Sequence, residues 1–433
     1  MRQQRVFVLL SATVAVILLS NVLNQTVSTS RFIESYPAVV CPPNTDGLTT
    51  AISLTSQRTM VRKTGTTSMA TTPVGFSRYG VATQAAVIEA GPVTPVVWQV
   101  RTGVWAGSVP CSSPIASQWF IGATADITSK GSLNLVNSGL GRALVDVTVF
   151  TENAQLNPQV ISLKANSYMQ IALATLAPGS KAIAIHLLTR SGRVNGFVVD
   201  ERGKGLQSLG GDLLNSTADP TKTIQIPAIP QQTIKKSSTT HTLRILIPGD
   251  VDAHISAEIR STDGTFSPVG IDGITVAHKK VIEIPMDITM ASGKFALHIT
   301  SDQPILASVF SKTISNGKSD FVWSTSAEDL SEFTLATTGL SPTLVFTGRT
   351  ISVKLDLTYT NGSQKSVTIS AQDIGTFVAP ATLRSVHFSS ISAGTSGAAL
   401  ISTENGYGYI PLNAGSRLTK SFVPSSNIRV LNP

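Results

Sequence analysis

A chain of 433 residues has room for about three or four domains of ordinary size and is too long for a single small core. Charged residues make up only 13%, while aliphatic residues, Ser, Thr and Gly are plentiful, a balance that suits strands and turns better than charge-rich helices. The formal charge of +8 comes from 33 basic against 25 acidic residues, with no block longer than pairs such as Arg62-Lys63, Lys235-Lys236 and Lys279-Lys280. No basic face with interleaved aromatics is visible, so nucleic acid is excluded as an expected partner, and anionic envelope polymers or lipid head groups fit better.

Arg2 and Arg5 precede residues 6–23, a run of 18 residues without a charge. That is just long enough for a spanning helix and longer than the usual apolar core of a signal peptide, and the basic flank keeps the N-terminal end in the cytoplasm. One N-terminal transmembrane helix is therefore expected, a signal-anchor in the cytoplasmic membrane with the C-terminal bulk extracytoplasmic. Residues 1–30 would form the cytoplasmic end, the anchor and a linker. Cleavage among the small residues Ser28, Thr29 and Ser30 would instead give a secreted protein.

Residues 31–118 read as a divergent N-terminal β domain. Its cysteines, Cys41 and Cys111, are the only two in the chain; without neighbouring ligands they make no zinc site, and outside the cytoplasm they are expected to form a disulfide. A Gly, Thr and Ser-rich interval over residues 65–75 is expected to be a loop. Residues 87–110 have the strand, turn and returning strand of the later repeats.

Three further domains are expected at 119–225, 226–330 and 331–433, each marked by a strand of strict alternation. ALVDVTVFTEN at 143–153 buries Val145, Val147 and Val149; AHISAEIRSTD at 253–263 buries Ile255, Ala257 and Ile259; ISVKLDLTYTN at 351–361 buries Val353, Leu355 and Leu357. Each alternating strand is preceded by a strand and a Gly turn, GSLNLVNSG, TLRILIPGD or TLVFTGRT, and followed by a β-hairpin pattern at 173–199, 287–310 and 388–412. Residues 203–242 look like a connection with little core, whereas SDFVWSTSAEDLSEF, before the last copy, is expected to pack as an edge strand. Spacings of about 110 and 100 residues exceed those of solenoids and propellers and indicate tandem immunoglobulin-like β-sandwiches in an all-β chain.

Candidate chemistry is sparse. His186 and His298 occupy equivalent positions in two copies, with Leu400 expected in the third, which suggests a scaffold position. His241, His254, His278 and His387 show no paired-ligand spacing, and no nucleophile elbow, P-loop or dinucleotide fingerprint occurs. A calcium site from Asp250, Asp252 and Asp263 competes with ordinary turn chemistry, as do the neighbours Glu328 and Asp329. Trp98, Trp105, Trp119 and Trp323 remain as candidate ligand or interface residues; Trp119 and Trp323 lie at domain junctions, where large aromatics seal one domain against the next. No catalytic residue, cofactor or metal is expected.

The N-terminal apolar segment, VVCP at 39–42, C-x-x-P-x4-WF-x-G at 111–122, the NSG and IPG turns, and DFVW at 320–323 together resemble an uncharacterised family of actinobacterial secreted or membrane-anchored proteins. The resemblance implies a multi-domain β protein of the cell envelope and carries over no functional residue. The expected function is that of a non-enzymatic, membrane-tethered structural or interaction protein whose partners are envelope proteins or polymers. The alternative is a glycan-binding module or adhesin that uses the tryptophans.

Overall fold

The computed structural model describes residues 32–35, 38–54, 59–71, 78–81, 83–88, 93–234, 237–288, 290, 292–315, 317–404, 406–415 and 421–424. The expected transmembrane helix at 6–23 lies outside them, and among the described residues no helix is long and apolar enough to cross a membrane. The chain divides into a small unit, residues 1–36 with 420–433, and a large one, residues 37–419. In the small unit, Phe32–Ser35 pairs antiparallel with Ser421–Pro424. The large unit is almost entirely β; its helical part among the described residues is the single turn Leu173–Leu176.

Within the large unit the strands fall into four modules of one topology. The second module shows it most plainly, with strands Ser117–Ile121, Ser132–Asn137, Ala143–Thr151, Gln159–Leu163, Ser167–Ala172, Ile183–Ser191, Val194–Lys204 and Gln207–Leu214. Numbered within the module, one sheet has the order 1-6-3-4 and the other 5-2-7-8. Phe120, Val145, Val147, Leu163 and Ile185 from the first sheet and Leu133, Leu135, Val198 and Leu214 from the second share one core. Burying each such side chain contributes about 1.5–3 kcal/mol.

The other modules repeat this order. The first uses Val39–Cys41, Thr49–Ser53, Met60–Lys63, Met69–Thr71, Arg78–Val81, Ala86–Ile88, Val96–Arg101 and Trp105–Pro110. The third runs from Thr221–Ile234 to Lys318–Thr325, and one 24-residue strand, Ser292–Ser315, fills its sixth and seventh positions. The fourth runs from Phe333–Ala336 to Gly406–Pro411, with Thr343–Tyr359 serving as positions two and three and Gln364–Val378 as four and five. An immunoglobulin constant domain sets strands ABED, or 1-2-5-4, against CFG, or 3-6-7.

The alternating strands lie with their expected apolar residues buried and their polar ones outward, apart from Thr148, which is also buried. Several local expectations are overturned. Ile183–Ser191 and Val194–Lys204 form no hairpin, because they belong to opposite sheets and the polar turn between them crosses the core edge. At 301–304 there is no turn at all, and the long strand passes from one sheet to the other, as strands at sandwich corners do. In these two modules the hairpin comes one strand later, Val194–Lys204 with Gln207–Leu214 and Ser292–Ser315 with Lys318–Thr325. TLVFTGRT likewise continues into the alternating strand through a bulge between Gly348 and Ile351. Residues 203–242 are no bare connection, since they carry three strands with Leu213, Ile224, Ile226 and Ile229 buried, and part of the 65–75 interval is the strand Met69–Thr71.

Register also corrects the histidines. His186 faces Thr148, His298 faces Glu258, and the equivalent residue of the fourth module is His387, facing Asp356, not Leu400. The three short stretches IHL, LHI and VHF share this position on the outer face of the 1-6-3-4 sheet, each half-buried.

Candidate functional site: a central strand quartet and its cavity

The four modules close on one another. Phe197 and Leu213 of the second enter the core of the first, Phe321 and Trp323 of the third enter that of the second, and Val96, Trp98 and Ala106 of the first enter that of the fourth. Val322 and Ala228 of the third meet Val345, Ala398 and Tyr409 of the fourth. Val93–Thr94 even adds a parallel strand to Phe333–Ala336 of the fourth module.

At the centre lie the eighth strands of all four modules, Trp105–Pro110, Gln207–Leu214, Lys318–Thr325 and Gly406–Pro411, packed together without joining one sheet. Glycine makes that approach possible. A Cβ on Gly211 would come within 2.6 Å of the Trp105 ring, and one on Gly408 within 2.5 Å of Ser108 and of Trp98. Tyr409 donates its hydroxyl to the Thr325 carbonyl at 2.7 Å, and Asn215 donates to the carbonyls of Ser108 and Tyr409.

A buried polar network joins the second module to the third. Asp212 Oδ2 accepts the Trp323 backbone N–H at 2.7 Å, and Asp200 Oδ2 accepts the Trp323 indole N–H at 2.8 Å and the Arg202 guanidinium at 2.8 Å. The Arg244 guanidinium lies 4.6 Å over the Trp323 ring, donates to the carbonyls of Ala123 and Ile183, and pairs with Glu283 at 2.6 Å. Burial pushes the Asp212 carboxyl well above the usual carboxylate range against the pull of two backbone N–H donors, and it lowers the Arg244 guanidinium while Glu283 opposes it. These side chains have their hydrogen-bonding capacity turned inward on the joint.

All four strands run toward one cavity of about 360 Å³. Its walls are the ends of these strands and the segments that follow them, among them Pro110 and Ser112 from the first module, Asn215 and Thr217 from the second, Glu328 and Asp329 after the third, and Asn413 and Gly415 after the fourth. Gln118, Phe120 and Phe197 complete the lining, so apolar rings stand beside hydroxyl, amide and carboxylate groups, with no Lys, Arg or His. The Cys41–Cys111 disulfide, spanning 70 residues, ties down the first-module wall, and Ser113 donates its backbone N–H to the Gly415 carbonyl.

All four tryptophans are at least 92% buried. Trp105 and Trp323 belong to the quartet, Trp98 packs at the contact of first and fourth modules, and Trp119 sits at the contact of second and third, stacked 3.8 Å from the His186 ring. All four tryptophans lie at contacts between modules, whereas sequence reasoning put only Trp119 and Trp323 at junctions and gave no role to Asp200, Asp212, Asp320 or Arg244. Ser117, His186 and Asp219 meet at the surface, yet the serine hydroxyl donates to Asp219 at 2.7 Å and contacts His186 Nε2 at 3.1 Å. A nucleophile triad needs the carboxylate on the imidazole, not on the hydroxyl. Asp252 pairs with His278 at 2.5 Å and Asp250 with Lys279, and among the described residues no group of three His, Cys, Asp or Glu could hold a metal.

A search of curated proteins found no match to the chain. Residues 61–379, which include the quartet strands of the first three modules and most of the fourth, match the family of unknown function DUF5719, and the chain belongs to that family.

Proposed function

We propose that the chain is a non-enzymatic structural or interaction protein, held by residues 6–23 in the cytoplasmic membrane with its β modules outside, where it engages an envelope partner at the axial cavity. The observation that carries this reading is the strand quartet. Asp212 and Arg244, both shifted by burial, are engaged in joints between modules, while the cavity presents mixed hydroxyl, amide, carboxylate and aromatic groups with no His or Lys beside its serines. The disulfide supports an oxidising, extracytoplasmic compartment. Likeness to immunoglobulin domains is then one of size and two-layer build rather than strand order.

A photo-crosslinking residue placed at Ser216 or Asn413, on the cavity rim, is expected to capture one defined envelope partner in intact cells. The same residue at Lys222, which is exposed and does not line the cavity, should not. Equal labelling from both positions would refute the cavity as the contact site, and a mature N-terminus near residue 29 would replace the tether with secretion. The second reading, a glycan-binding module, draws support from the Phe120 and Phe197 rings beside hydroxyl and amide groups, a pairing that suits a sugar ring. It assigns the contact to the cavity, because no indole offers an open face. Glycan-array binding that persists in a Ser216→Trp variant would count against it.

A further inference from the structure

We propose that Asp320 is a proton-operated latch at the end of the quartet remote from the cavity: a neutral carboxyl keeps the eighth strands clamped, and a charged one loosens them and widens the cavity. The proposal rests on the reading of that cavity as the contact site. Asp320 stands where the second, third and fourth modules meet. Its Oδ1 accepts the Gly211 N–H at 3.2 Å, while its Oδ2 is buried and makes no well-formed hydrogen bond. A side chain on Gly210 or Gly406 would run into the carboxyl, so two modules close over it with bare backbone.

The groups around it leave the charge poorly compensated. The second module contributes Asp212, whose ionisation Asp320 opposes, and the fourth contributes Tyr407. The first-module strand Trp105–Pro110 brings no titratable side chain. Within the third module, Lys312 pairs with Phe321, on the strand face opposite Asp320, where Asp200, Arg202 and Arg244 surround Trp323; Lys318 is exposed at the strand's start. Burial pushes the Asp320 carboxyl up to about 7, against the pull of the Phe321, Gly211 and Tyr407 backbone N–H groups.

A carboxyl raised in the folded state favours folding most where both states are neutral. The clamp is therefore complete below the ordinary value of 3.8, weakens as pH rises toward about 7, and levels off above it. Each of the four strands continues directly into a cavity wall, so loosening at Asp320 is transmitted along them.

Hydrogen exchange of the full chain without any partner, at about pH 5 and about pH 8 and corrected for intrinsic chemistry, tests the latch. Segments 207–214 and 406–415 are expected to open at least about tenfold more often at the higher pH, and Asp320→Asn, permanently neutral, to stay protected at both. Equal protection of the native protein at both pH values would overturn the latch, as would undiminished pH dependence in D320N. Should D320N fail to fold, carbon-13 NMR of the native aspartate carboxyls decides: a buried carboxyl titrating near neutrality supports the proposal, and its absence overturns it. Because no partner is present, this outcome is independent of the crosslinking that tests the cavity.

Discussion

The two ends of the strand quartet are built on opposite principles. Toward Asp320, backbone meets backbone through Gly210 and Gly406, and Asp200 and Asp212 are fully enclosed. Toward the cavity, the segments that follow the same strands stand apart and present Ser112, Ser216, Asn413 and the exposed Glu328 and Asp329. One topology repeated four times thus supplies a rigid joint from its strands and a variable surface from its connections. On the proposed reading, specificity belongs to the ends of the strands, because the strands themselves are occupied with each other.

Substitutions at the two ends should separate accordingly. Trp323→Ala removes a fully buried ring and leaves Asp200 without its indole donor, so a loss of about 3–5 kcal/mol is expected in urea unfolding. Cys41→Ser with Cys111→Ser is expected to cost about 2–4 kcal/mol and to increase proteolysis at the cavity wall first, because Cys111 lies between the wall residues Pro110 and Ser112. Gly211→Ala forces a methyl into the Trp105 ring and should cost about 1–3 kcal/mol, visible as altered Trp emission. Ser216→Ala, at the cavity, should change stability by less than about 0.5 kcal/mol while still altering partner capture. If Ser216→Ala destabilised as much as Gly211→Ala, the contrast between the ends would collapse.

The strands were far more legible than their partners. Alternation at Val145, Val147 and Val149, and in its two later copies, is a local property and places one face inward directly. Sheet membership is not local: the polar turn in TRSGRV looks the same whether the chain turns back within a sheet or crosses to the other, so the hairpin was assigned one strand early. That shift also set Leu400 in place of His387, although the apolar-His-apolar stretches IHL, LHI and VHF carried the correct alignment. Asp212 and Trp323 are 111 residues apart, and neither LGGDLL nor DFVWS announces that they touch. Of the cavity, Glu328 and Asp329 were read as turn residues, and Phe120 entered only as part of the C-x-x-P-x4-WF-x-G motif. A surface assembled from the four ends of four strands has no contiguous signature.

Contact between the first and fourth modules gives the large unit a thermodynamic character that a row of beads lacks. Thr94 accepts the Gly415 backbone N–H, Ser53 donates to the Thr338 carbonyl, and Val93–Thr94 extends the sheet of the fourth module. Every module therefore has at least two neighbours, and melting any one strips contact surface from each of them. Cooperative loss is the consequence: heating should produce one calorimetric transition for residues 37–419 in place of four, and deleting either terminal module should destabilise the three that remain.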